Sequence, residues 1–239
     1  MNDEMAPERM QEQMKYIFLF LISQSVLLPI IAGLIRFRRL ERAYRPFLSL
    51  LFIGFAVEII SFILMNCKKS NAIPVNIYYL IEWTLLAWQF HTWGFMRQKE
   101  KAFYGLLGLG AAIWVIEYLL CWKINTFSPY FLFFYSFVLV LLSVNEINFM
   151  ITHYNRNLFR NPKFLICIGF IIYFVYTIVD NWAFEISKTG KSAISVTISF
   201  WVAYVNALAN IIYAVAFILI PTPQKFTLEN DLPEMGKKS

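Results

Sequence analysis

The chain has 239 residues, of which 59% are hydrophobic, 18% aromatic and only 15% charged, with a mean hydropathy of +0.57. Soluble domains run at about 45–50% apolar and about 25% charged residues, so both figures miss in the same direction and exclude an ordinary water-soluble enzyme. The formal net charge of +6 lies in short loops between apolar runs, a placement that gives no reason to expect nucleic acid as a partner.

A hydrocarbon layer about 30 Å thick needs roughly 20 helical residues to cross it. Seven stretches reach that length: Tyr16 to Ile35, Pro46 to Met65, Val75 to Met96, Ala102 to Trp122, Pro129 to Ile151, Phe164 to Phe184, and Ile194 to Ile220. They are continuous and lack the apolar/polar alternation of barrel strands. The expected fold is therefore an all-α integral membrane protein, a bundle of seven transmembrane helices. The third and seventh spans have the least defined ends, and the seventh is long enough to tilt or to begin near Ser199. Residues 1–15 read as an external N-terminal segment, 16–220 as the transmembrane domain and 221–239 as a flexible cytoplasmic tail.

Lys and Arg set the orientation. The loop Arg36 to Arg45, the loops with Arg97, Lys99 and Lys101 and with Arg156, Arg160 and Lys163, and the tail together hold 14 basic residues, against 7 on the other side. This bias predicts an external N-terminus and a cytoplasmic C-terminus. The acidic residues Asp3, Glu4, Glu8 and Glu12 precede the first span where a signal peptide would carry basic residues. The inner or plasma membrane is the expected location. The basic loops also suit anionic lipid headgroups or a cytoplasmic protein partner.

A weak repeat divides the spans three, one, three. Tyr16-Ile-Phe-Leu-Phe matches Tyr130-Phe-Leu-Phe-Phe, and Ile53-Gly54-Phe55 matches Ile168-Gly169-Phe170, at nearly the same offset, as duplication would leave them. Sugar-transporter and opsin-like seven-helix proteins have comparable layouts, a likeness of arrangement that carries no function.

Five acids fall inside spans: Glu58, Glu82, Glu117, Glu146 and Asp180. No Lys or Arg lies inside a span, and only His91 could serve as a basic partner. An ionised carboxylate at the bilayer centre costs at least about 2.5–3.5 kcal/mol, so each acid must be protonated, hold a cation or face water. Glu82, Glu117 and Asp180 share the outer third of spans three, four and six, with Glu58 nearer the middle of span two. Helical spacing joins Tyr78, Glu82, Gln89 and Trp93 in one stripe, and Tyr173, Thr177 and Asp180 in another. These stripes predict an outward-opening, acidic and aromatic pocket in which Glu82, Glu117, Asp180, Glu58, Tyr78, Gln89 and Tyr173 bind a small cationic or protonatable ligand. Protonated acids that only tie helices together are the plainer alternative.

A second, inner group of polar residues is expected from Asn145, Glu146, Asn206, Asn210 and His91, either as a helix-packing seam or as a gate. Gly105, Gly108, Gly110 and Ala112 read as a packing face of span four. No cofactor is expected. Retinal would need a lysine in the seventh span, and none lies between Lys191 and Lys225; zinc hydrolysis would need a histidine cluster, and only His91 and His153 exist. No GxSxG, P-loop, HExxH or dinucleotide-binding pattern is present, so an intramembrane hydrolase is the weakest class. Two functions remain: a sensor or receptor-like module that passes ligand binding to a cytoplasmic partner, and a small proton- or cation-coupled transporter. Pro29 alone lies well inside a span, and the lack of a plainly interrupted helix leans towards the sensor.

Overall fold

The computed structural model describes residues 18–93, 100–126, 129–153, 158–187 and 192–220. The expected external segment 1–15 and tail 221–239 lie outside the described residues, as do Tyr16, Arg97, Lys99, Arg156, Lys188 and Lys191.

Among the described residues the long elements are all helices: α1 Phe18–Ile35, α2 Arg45–Asn66, α3 Ala72–Thr92, α4 Glu100–Leu120, α5 Pro129–His153, α6 Pro162–Ser187 and α7 Ser192–Leu219. Local chemistry fixes several of their ends. Pro46 sits in the first turn of α2, where a missing N–H costs nothing. At the other end Lys68 takes a left-handed conformation (φ 54°), and Lys69 N–H reaches back to Leu64 O at 2.9 Å to satisfy a terminal carbonyl. Asn161 caps α6, its Oδ1 accepting Lys163 N–H at 3.0 Å.

Two helices change pitch. In α1 the turn Gln24–Val26 is 3₁₀. Pro29 has no N–H to offer Ser25 and its ring crowds that carbonyl, so the chain tightens one turn earlier. The last six residues of α4, Val115–Leu120, form a π-helix. The expectation of uninterrupted helices therefore fails at α1.

Each helix packs on its neighbours in the chain, and α7 closes the ring against α1. Helix α3 also meets α5, and α4 lies against both. Six of the seven are long and apolar enough to cross a membrane, rather than all seven. The exception is α3, at 21 residues, because it carries Asn76, Glu82, Gln89 and His91. Its polar side chains Asn76, Glu82 and Gln89 are buried in the bundle, while its exposed large side chains are Ile73, Ile77 and Trp88.

The two triplets, α1–α3 and α5–α7, share local features. In each, a 3₁₀ turn (Phe37–Arg39, Leu158–Arg160) precedes a middle helix with proline in its first turn. In each, a glycine of the middle helix receives a tyrosine from the third. A Cβ on Gly54 would stand 3.0 Å from Tyr78 Oη, and one on Gly169 would run into the ring of Tyr213. The expected packing face of α4 is narrower than the sequence suggests: Gly110 lies against Trp83, but Gly105 and Gly108 have nothing within 4 Å of a Cβ.

Candidate functional site

A cavity of about 970 Å³ lies between α1, α2, α3, α6 and α7. It runs from Met65, Asn66 and Val75 at one end of the bundle to Phe47, Phe170 and Tyr213, which form its floor. The floor is a packed aromatic layer: Phe47 meets Phe170 edge-on at 5.3 Å, Tyr213 at 4.9 Å, and stacks on Phe217 at 5.7 Å between ring centres. Most of the wall is apolar. Its acids are Glu58 and Glu82, its remaining polar side chains include Ser23, Ser61, Tyr78, Tyr79, Tyr173, Asn206 and Asn210, and among the described residues no Lys, Arg or His lines it.

Glu82 stands on α3 with only 5% of its surface exposed. Tyr135 of α5 donates its hydroxyl to Glu82 Oε2 at 2.7 Å, and Tyr78, one turn earlier on α3, donates to Oε1 at 3.4 Å. Across the cavity, Glu58 Oε2 accepts from Gln24 Nε2 at 3.5 Å, while Ser23 Oγ donates to Phe20 O at 2.9 Å. The phenols of Tyr78 and Tyr173 are within electrostatic range of both carboxyls. One turn from Glu58, Ser61 Oγ is buried without a hydrogen-bond partner. On α7, Asn210 Nδ2 donates to Ser25 Oγ of α1 at 3.0 Å and to Asn206 Oδ1 at 3.4 Å.

The expected outer group thus separates. Glu58, Glu82, Tyr78 and Tyr173 line one cavity. Glu117 does not: its Oε1 and Oε2 accept the N–H groups of Tyr130 and Phe131 at 3.1 and 2.6 Å, capping the start of α5. These N–H groups have no partner within their own helix, so a carboxylate from α4 fills the place of an N-cap. Asp180 is also outside the lining, beside Tyr79 and Tyr176. It follows Tyr173 by seven residues, which keeps it near the same face but carries it about 10 Å further along the axis. Gln89 lies below the floor. Its Oε1 accepts Phe47 N–H at 3.0 Å and its Nε2 donates to Ala43 O, so it holds the entry of α2.

The expected inner group does not form either. Asn206 and Asn210 belong to the cavity wall. Glu146 lies elsewhere, 2% exposed, with Oε2 unbonded and Lys163 within electrostatic range. Glu146 therefore has a basic neighbour, contrary to the expectation that the span acids have none; Lys163 opens the next helix. Asn145 is half-buried beside it on α5. His91 packs its ring against Phe103 of α4 at 4.4 Å. Lys163 Nζ donates to Trp93 O at 3.2 Å and lies 6.0 Å from the centre of that indole.

Sequence reasoning missed Ser23, Gln24, Ser25 and Tyr135. The first three are consecutive polar residues inside an apolar run, next to the proline that alters the helix, and that conjunction was a readable signal. Tyr135 carried none, because its role depends on which helix lies opposite. The chain matches no protein-family model, and neither a curated protein nor a solved structure resembles it significantly.

Proposed function

We propose that this chain is a seven-helix membrane protein, N-terminus outside and C-terminus cytoplasmic, in the inner or plasma membrane, and that its cavity takes a small cationic or protonatable ligand from the external side. That α3 is the seventh crossing helix is supported by its burial pattern: its polar side chains face protein and its exposed ones are apolar, as a membrane requires of each face. The ligand reading rests on one observation. Two carboxyls, Glu58 and Glu82, face a single large cavity whose wall is mostly apolar and aromatic and, among the described residues, has no basic side chain. A positive guest neutralises the acids, and the rings of Tyr78, Tyr79 and Tyr173 offer it cation–π contacts.

A sensor or receptor-like role follows from what lies under the floor. Phe47 lines the cavity, and its backbone N–H is held by the same Gln89 side chain that holds Ala43 O. Ala43 lies within the basic segment from Arg36 to Arg45. A guest that displaces Phe47 therefore acts on the loop a cytoplasmic partner or anionic headgroups would contact. The second reading, transport, is favoured by the 3₁₀ turn of α1 at the cavity wall and by the parallel triplets, because transporters build their sites from irregular helices between repeats.

The test uses a simple alkylamine and the protein in nanodiscs. Glu82→Gln leaves the folded yield and the unfolding midpoint close to wild type and removes amine binding measured by calorimetry. Unchanged binding in that variant overturns the ligand reading. Uptake of the same amine into proteoliposomes, abolished by Glu82→Gln, replaces the sensor with the transporter.

A further inference from the structure

The two carboxyls of the cavity are served only by donors. Glu82 accepts from Tyr135 at 2.7 Å and from Tyr78 at 3.4 Å; Glu58 accepts from Gln24 at 3.5 Å. A phenol and an amide NH₂ stabilise a carboxylate, and neither brings a positive charge. The two acids do not bond each other, and they approach the same volume from different helices, α2 and α3. Tyr78 stands between them: its hydroxyl bonds Glu82 and packs beside Gly54, one turn before Glu58, and it is within electrostatic range of both. Ser61 Oγ, one turn beyond Glu58, is a buried polar atom of the wall with no partner.

Charge balance then constrains the guest. A monoamine that pairs with one carboxylate leaves the other facing the cavity without a counter-charge, Glu82 buried or Glu58 half-buried, which is the costly half of a broken ion pair. A metal ion fits poorly, since no group of three or more metal-ligating side chains exists among the described residues and the volume is about 970 Å³. A molecule with two positive ends and an apolar middle matches two separated acids in an apolar, aromatic wall. We propose that the Glu58–Glu82 cavity is a site for an organic dication of the α,ω-diamine class, one ammonium at each carboxylate and the methylene chain against the aromatic wall beside Tyr78. This rests on the ligand reading above and makes it specific.

The experiment compares α,ω-diaminoalkanes of increasing length with n-alkylamines of equal carbon number, titrated by calorimetry into the protein in phosphatidylcholine nanodiscs, a neutral lipid that does not itself attract amines. In the wild type the best diamine binds on the order of 30-fold tighter than its monoamine counterpart, with an optimum chain length. Glu58→Gln and Glu82→Gln each bring that ratio to about one. A wild-type ratio near one, with monoamine binding still lost in Glu82→Gln, overturns the diamine assignment and leaves the ligand reading in place. Absence of binding by any amine overturns both. A ratio that survives in either variant places the second charge elsewhere and overturns the pairing. Because the wild-type ratio needs no substitution, poor folding of a variant does not protect the proposal.

Discussion

Glu82 and Glu117 stand on neighbouring helices and are equally buried, each 5% exposed, yet their partners differ in kind. Glu117 accepts two backbone N–H groups at the start of α5. Glu82 accepts two side-chain hydroxyls and borders an open volume. The same division separates the cavity from the rest of the bundle. Asn76 donates to Ile124 O and Thr126 O, Gln89 serves Phe47 N–H and Ala43 O, Lys163 serves Trp93 O, and Arg36 reaches Ile220 O at 2.7 Å. Around the cavity Gln24 meets Glu58, and Asn210 meets Ser25 and Asn206. A side chain bonded to the main chain fixes where the backbone runs. One bonded to another side chain can exchange that partner for a guest at the cost of a rotamer change.

Removing one acid of each kind separates the two roles most strongly. Glu117→Ala leaves Tyr130 and Phe131 N–H uncapped in a buried place and costs about 3 kcal/mol, because bonds to a charged acceptor are the strong ones. Glu82→Gln keeps an acceptor for the phenols and costs about 1 kcal/mol or less. Unfolding titrations in mixed micelles compare the two. Equal losses would show that both acids hold the fold and that the cavity acids have no separate employment.

The amides give the next largest contrast. Gln89→Ala orphans Phe47 N–H, which lies in the first turn of α2 and has no helical partner, and leaves Ala43 O with only the longer bond from Thr92 Oγ1 at 3.4 Å. The expected loss is about 2 kcal/mol. Asn206→Ala removes one long side-chain bond from a cavity wall and costs about 0.5 kcal/mol. The same titration measures both, and a reversed order would contradict the division between backbone-holding and cavity-lining groups.

How far the sequence discloses such a division depends on which coordinate is asked for. Helix length and the rise per residue place each acid along its span, so depth was legible, and so was the Tyr78–Glu82 stripe, whose members differ by one turn. The direction a helix face points, and the helix opposite it, are tertiary facts. Depth alone groups Glu117 and Asp180 with Glu82, and their surroundings separate them: the start of α5 takes Glu117, and Asp180 lies beside Tyr79 of α3. The sequence hides the basic neighbour of Glu146 because Lys163 lies across a loop, in the first turn of the next helix. The apolar content of α3 was overrated for the opposite reason: its polar residues turn inward, where the span needs no hydrophobicity.

The glycines test whether the paired triplets are held by matching contacts. Gly169→Ala puts a methyl where the Tyr213 ring lies and costs about 1–3 kcal/mol, with part of it appearing as a shifted cavity floor, since Phe170 and Tyr213 border both. Gly105→Ala, on an open face of α4, stabilises by about 0.5–1 kcal/mol, because a helical alanine loses less backbone freedom on folding. Gly54→Ala falls between them, because its neighbour is the Tyr78 hydroxyl at 3.0 Å rather than a ring interior.

The smallest effect sits beyond the floor, in the basic loop. Burial pushes the Glu41 carboxyl above its ordinary value of 4.5, and the charge of Lys163 acts against that shift. A carboxyl raised on folding is neutral more readily in the folded state than in the unfolded one. Its contribution to stability is therefore full below the unfolded value of 4.5 and is lost as pH rises through the higher folded value. Glu41→Gln flattens this part of the stability profile. Lys163→Met does the reverse, because removing the ammonium leaves desolvation unopposed and moves the folded value further up. Thermal unfolding followed from acid to neutral pH in the two variants and the wild type gives the signs directly. If Lys163→Met leaves the slope unchanged, the ammonium bonded to Trp93 O does not act on Glu41.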